Sequence, residues 1–157
     1  MAFSDPVTQR LVEEVQAEYV RIYGGVDRTP VDPTEFDPPG GCFLVGYLGE
    51  DPVAMGGWRR RPDVSALGGV RVAEVKRMYV APRARRTGLA RAVLRELEDS
   101  ARAAGADVLV LETGTPQPGA VELYRSSGYV DTVRFGFYAA EPTAVYLARR
   151  LAPDPAG

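Results

Sequence analysis

Apolar residues along this chain change periodicity several times, and each change marks a switch between helix and strand. Leu11, Val12, Val15, Tyr19 and Ile22 share one helical face, so Val7 to Tyr23 is predicted helical. Asp5 serves as its cap, Pro6 lies in its first turn, and Gly24 and Gly25 stop it. Asp27 to Gly41 is rich in proline and acidic residues and reads as a loop, with at most a short helix around Pro33 to Phe36. Cys42 to Leu48 and Val53 to Arg59 are apolar runs joined by Gly49, Glu50, Asp51 and Pro52, the pattern of a hairpin.

Val72 to Val80 reads as a further strand, rich in β-branched and aromatic residues and stopped by Pro82. Leu89, Val93, Leu97, Ala101 and Ala104 then recur at helical spacing, until Gly105 ends the helix. Val108 to Glu112 follows as a short buried strand and Gly119 to Ser126 as a helix. Tyr129 to Phe135 and Thr143 to Arg149 are read as two closing strands. The alternation argues for an α/β fold. At 157 residues and 45% hydrophobic content, the chain is read as one domain, 1–157, ending in a frayed tail over 151–157.

Composition narrows the chemistry. The chain has no histidine, which removes the commonest general base, and its single cysteine, Cys42, cannot form an internal disulfide or a thiolate zinc cluster. Carboxylates, tyrosines or water must therefore do the work, and no metal is expected. A net charge of −2 and a pI near 5.3 argue against a broad nucleic-acid surface, despite the run Arg59, Arg60, Arg61. Arginine supplies nearly all the positive charge: Lys76 is the only lysine, a skew expected of a GC-rich bacterial genome. No signal peptide or membrane-length apolar run is recognisable, so the expected location is the cytoplasm.

The segment Arg85, Arg86, Thr87, Gly88, Leu89, Ala90 joins a strand to a helix. Glycine lets backbone approach a ligand closely, and a helix N-terminus offers unpaired N–H groups to an anion. A solvated basic turn is the plain alternative. Arg85, Gly88 and Ala90 also fit the Q/R-x-x-G-x-G/A pyrophosphate loop of the GCN5-related N-acetyltransferase (GNAT) family, which this chain resembles from Phe43 to Leu147. Gln117, Ala120, Leu123, Tyr124, Gly128 and Tyr129 resemble a second segment of that family, NxxAxxLYxxxGF, with glutamine in place of asparagine.

The resemblance implies a mixed, splayed sheet flanked by helices, with acetyl-CoA as cosubstrate in the cleft between the family's fourth and fifth strands. The family usually opens with a strand, and only Met1 to Asp5 precede the first helix, so this sheet is expected to lack it. Cofactor contacts fall on Arg85, Arg86, Thr87, Gly88, Leu89 and Ala90, and on the main chain of Met78, Tyr79 and Val80, which would pair with the pantetheine arm. Gln117 would either bond the cofactor or cap the following helix.

Acyl transfer to an amine needs a neutral nucleophile, and an alkyl amine of pKa near 10.4 lies roughly 4 to 5 kcal/mol from that state at pH 7. Glu74 matches a glutamate that is the base in some relatives, and by strand alternation shares a face with Lys76 and Met78. Its alternative is a surface glutamate paired with an arginine. Glu112 is the second candidate base, or else fixes the following turn. Tyr124 matches the family's general acid, or is an ordinary buried aromatic. Direct transfer in a ternary complex is expected; a non-catalytic acyl-CoA binding module is the rival.

The acceptor amine is not readable from the sequence. Its walls are expected at Tyr23 to Phe36 and Phe135 to Pro142, with Phe137 and Tyr138 as aromatic surface and Arg21 or Arg59 as ligands for an acceptor carboxylate. The family often dimerises, which makes a homodimer an open expectation.

Overall fold

The computed structural model describes residues 2–27, 32–136 and 138–151. Its first element, α1 (Pro6–Tyr23), is capped by Asp5, whose carboxylate accepts from the Val7 N–H, and ends at Gly24 in the left-handed conformation. β1 (Gly41–Leu48) and β2 (Asp51–Arg60) form the expected hairpin, and β3 (Val72–Val80) pairs antiparallel with β2. A crossover through α2 (Leu89–Ala103) leads to β4 (Val108–Gly114), then α3 (Pro118–Ser126), β5 (Val130–Asp131) and β6 (Ala144–Arg150). The six strands lie in the order β1-β2-β3-β4-β6-β5, with β3 and β4 parallel and the other pairs antiparallel. Among the described residues no strand precedes α1, as anticipated.

Both faces of the sheet are covered. Val93, Leu94, Leu97 and Ala101 of α2 pack on Ala54, Trp58, Ala73 and Leu109, and Trp58 reaches through to donate its indole N–H to Ser100 Oγ at 3.2 Å. On the opposite face Leu11 and Val15 of α1 join Phe36, Phe43, Val53, Met55 and Tyr79 in a second cluster. A third, around Val72, Val110, Phe135 and Tyr146, closes the far end of that face.

Two expectations change. The closing strand read as Tyr129 to Phe135 is only Val130–Asp131. Beyond Thr132, Arg134 donates to the carbonyls of Ala139, Glu141 and Ala144, so the chain leaves β6 and folds Phe135 onto Tyr146 instead. The tail beyond Leu151 lies outside the described residues.

The second change is in β3, where Met55 pairs with Tyr79 and Gly57 with Lys76, leaving Arg77 and Met78 together opposite Gly56. This is a β-bulge, with Arg77 at φ 60. It inverts the alternation, so Met78 packs on the α2 side whereas Glu74 and Lys76 stay on the other face. The sheet splays here: β3 pairs with β4 only from Val72 to Glu74, although β4 continues beside β6 as far as Gly114.

Leu97 is fully buried between α2 and the sheet. Leu97→Ala is expected to cost about 3 kcal/mol of unfolding free energy, read as a lower denaturant midpoint at unchanged slope.

Candidate active site

The splay opens a cavity of about 610 Å³ whose walls come from both faces of the sheet. Strand alternation divides it. Val75 and Leu111 belong to the α2 face, where Ala120 and Tyr124 of α3 join them, while Lys76 and Glu112 line the other side with Tyr23, Asp27 and Tyr138. Glu112 follows Leu111 directly, so the two chambers meet at one turn of the β4 pleat.

Glu112 is partly buried, and its carboxyl is pushed up to about 7. Burial is the main cause; the Lys76 cation opposes it, and the negative charges of Asp27 and Glu74 reinforce it. Tyr124 is held above the ordinary phenol value by burial and then by the Glu112 charge, so its hydroxyl keeps its proton at neutral pH. Its ring meets Tyr129 edge-on at 5.8 Å, and Tyr129 is anchored by its hydroxyl donating to Glu98 at 2.9 Å. Arg149 completes that support, 2.8 Å from the same carboxylate.

A cluster that sequence reasoning missed lies beside Glu112. Asp27 accepts from Arg77 at 3.3 Å and from the Tyr138 hydroxyl at 3.1 Å, with Lys76 Nζ 3.8 Å away. Burial lowers the Lys76 pKa, against the pull of Asp27, Glu74 and Glu112. The available signal was the chain's one lysine, set in a strand buried on both faces.

Glu74 stands elsewhere. It is 3% exposed and outside the cavity wall, and its carboxylate accepts from Arg59 at 3.1 Å and Arg61 at 2.7 Å. The arginine-pairing alternative describes it better, although the pair is buried and not on the surface. Arg59 is engaged by Glu35 as well as Glu74, and neither it nor Arg21 lines the cavity. Of the anticipated acceptor walls, Tyr23 to Asp27 with Tyr138 and Glu141 are present. Phe137 and residues 28–31 lie outside the described residues.

Gln117 occupies the N-cap position of α3 without a side-chain cap bond, so it is not the cap considered for it. Its amide donates instead to the Tyr23 hydroxyl at 2.7 Å, which ties the end of α1 across the cavity mouth. That approach requires Gly114, since a Cβ there would overlap the Tyr23 hydroxyl.

The turn preceding α2 leaves the helix N-terminus without a side-chain cap. Gly88, at φ 80, is the N-cap; no side chain caps the helix, and a Cβ on Gly88 would meet nothing within 4 Å. Arg86 is exposed at φ 66, and Thr87 donates its hydroxyl to Ala84. Arg85, by contrast, is bidentate to Glu18 at 2.7 and 2.9 Å, and its Nε donates to the Val80 carbonyl at 3.1 Å. Met78 lines the cavity, whereas Tyr79 and Val80 do not; beyond Glu74 the strand edge facing β4 has no strand partner.

The profile of the acetyltransferase (GNAT) family matches residues 8–129. The chain is 34% identical over 147 residues to an IAA acetyltransferase of Azospirillum brasilense, covering 94% of this chain and 92% of that one. A Klebsiella pneumoniae protein named as a candidate acyl-CoA N-acyltransferase superposes with a TM-score of 0.78 at 24% identity, over 97% of this chain and 94% of its own. A Salmonella typhimurium protein solved with its cofactor acetyl-CoA does so with a TM-score of 0.60 at 20% identity, over 94% and 92%. This chain belongs to the GNAT acetyltransferase family, and is an N-acetyltransferase.

The raised Glu112 pKa has a stability consequence. An unfolded glutamate titrates near 4.5, so the native state holds this proton more tightly, and stability falls as pH rises from about 4.5 through about 7. The span corresponds to about 3 kcal/mol. Glu112→Gln is expected to raise the melting temperature at pH 8, an advantage that disappears below pH 4.5. Equal gains at both pH values would contradict the assignment.

Proposed function

We propose that the enzyme transfers an acetyl group directly from acetyl-CoA to a primary amine in a ternary complex, with Glu112 as general base and Tyr124 as general acid. The observation that carries this reading is the pairing, on one cavity, of a carboxyl titrating near neutrality with a buried tyrosine that stays protonated. A base is most effective when its pKa lies near the working pH, as for Glu112, which lines the cavity; Glu74 is held by Arg59 and Arg61 outside the cavity wall.

Acetyl-CoA supplies an activated acetyl thioester, and the chain offers places for its parts. Main-chain N–H groups at Gly88, Leu89 and Ala90 suit the diphosphate, with the exposed Arg86 as the nearby cation; Arg85 would reach it only by leaving Glu18. The open edge of β3 at Met78 suits the pantetheine amides as an added strand would. Gln117 borders the same mouth. Glu112 then takes a proton from the amine, directly or through a water, and Tyr124 gives one to the departing sulfur. Thiolate is a weak base, so the acid is worth only about 2 kcal/mol at pH 7.

The acceptor would enter between Tyr23, Tyr138 and Glu141, on the Glu112 side. The Azospirillum brasilense relative is named an IAA acetyltransferase, and that name supplies one acceptor class for the screen.

Thiol release in an amine screen tests the reading. Glu112→Gln is expected to lower kcat about a hundredfold and to remove an acid limb near pH 7 from kcat/KM, while Tyr124→Phe lowers kcat about tenfold. Two variants at wild-type rates would overturn both roles, and an absent heat of acetyl-CoA binding would overturn the function.

A further inference from the structure

We propose that Lys76 is a site of self-acetylation: with acetyl-CoA bound and no acceptor present, its ε-amine takes the acetyl group. The inference rests on the function proposed above and adds an acceptor contained in the chain itself.

Lys76 lies two residues before Met78, on the strand whose open edge borders the cleft, and its side chain lines the Glu112 side of the cavity. The proposed function brings the acceptor amine in from that side, so Lys76 presents a primary amine in the chamber assigned to the acceptor. It is 9% exposed and lines the cavity, so its amine is reached through the cavity, by a delivered acetyl group or by a small reagent. Its ion pair with Asp27 is long, 3.8 Å, and Asp27 is satisfied independently by Arg77 and Tyr138. Releasing Lys76 from Asp27 therefore leaves no carboxylate stranded. Burial works in the same direction by favouring the neutral amine.

The step balances without any further reactant. The lone pair of Lys76 Nζ attacks the thioester carbonyl carbon, a C–N bond forms and the C–S bond breaks. Glu112 accepts the proton leaving nitrogen, the thiolate takes one from Tyr124, and the products are free CoA thiol and Nε-acetyl-lysine at position 76. The product is neutral. Glu112 loses the cation that opposes its burial, and its carboxyl would titrate higher still, so the acetylated enzyme is a slower one.

The single lysine makes the test unambiguous. The purified protein is incubated with acetyl-CoA alone and digested, and acetyl groups are mapped by mass spectrometry. One acetyl group on the peptide containing Lys76 is expected, absent from Lys76→Arg and formed roughly tenfold or more slowly in Glu112→Gln. Acetylation only at the N-terminal amine, or equally fast labelling of the urea-unfolded chain, would overturn the proposal. A reading without acetyl-CoA comes from reductive methylation with labelled formaldehyde, which gives one dimethyl-lysine resonance. Its titration is expected below the free-lysine value, and a midpoint at or above that value would overturn the proposal. If acetyl-CoA binds and added amines are acetylated while Lys76 stays unmodified, this inference falls and the proposed function stands; without binding, both fall.

Discussion

The candidate active site depends on β3 leaving β4 after three paired residues. Two parallel strands that start in register would normally continue, since each unpaired edge gives up hydrogen bonds. Here the extra residue at Arg77 bends β3 away, and the bend is held at a backbone angle that disfavours a side chain. Asp27 ties down the arginine that adopts it, and the Arg77 Nε remains buried without a partner. The protein accepts this local cost to keep an open strand edge and a cavity that passes through the sheet.

Because the cavity crosses the sheet, ordinary strand alternation does the chemical sorting. Leu111 and Glu112 are neighbours in sequence and face opposite sides, so an apolar chamber beside α3 and a charged one beside α1 meet within one residue step. Glu112 is therefore pushed up to about 7 by partial desolvation, which the Lys76 cation opposes and the charges of Asp27 and Glu74 reinforce. Tyr124 reaches the same place from α3, braced by Tyr129, Glu98 and Arg149.

Much of this organisation was legible in the sequence. The helical spacing from Leu89 to Ala101, the hairpin around Gly49 and the glycine-bearing turn before α2 are local signals, and each appears at its anticipated position. The bulge was not legible, because arginine gives no hint of a left-handed backbone, and with it went the assignment of Met78 to the face of Glu74. The partners of Glu74 were equally hidden: they come from the end of β2 and the residue just past it, brought opposite only by the β2–β3 register. The short β5 reflects bonds from Arg134 to carbonyls of the following loop and the start of β6, where the apolar pattern alone read as a longer strand.

The first helix carries one more implication. Its Glu18 grips Arg85 in the turn before α2, its Glu14 meets Arg83 and Tyr79, and its last residues put Tyr19 and Tyr23 into the cavity wall. One helix thus spans from the turn before α2 to the cavity wall. Whatever holds or releases Arg85 at Glu18 therefore acts on the same rod that carries Tyr19 and Tyr23, so the turn before α2 and the cavity wall share one lever.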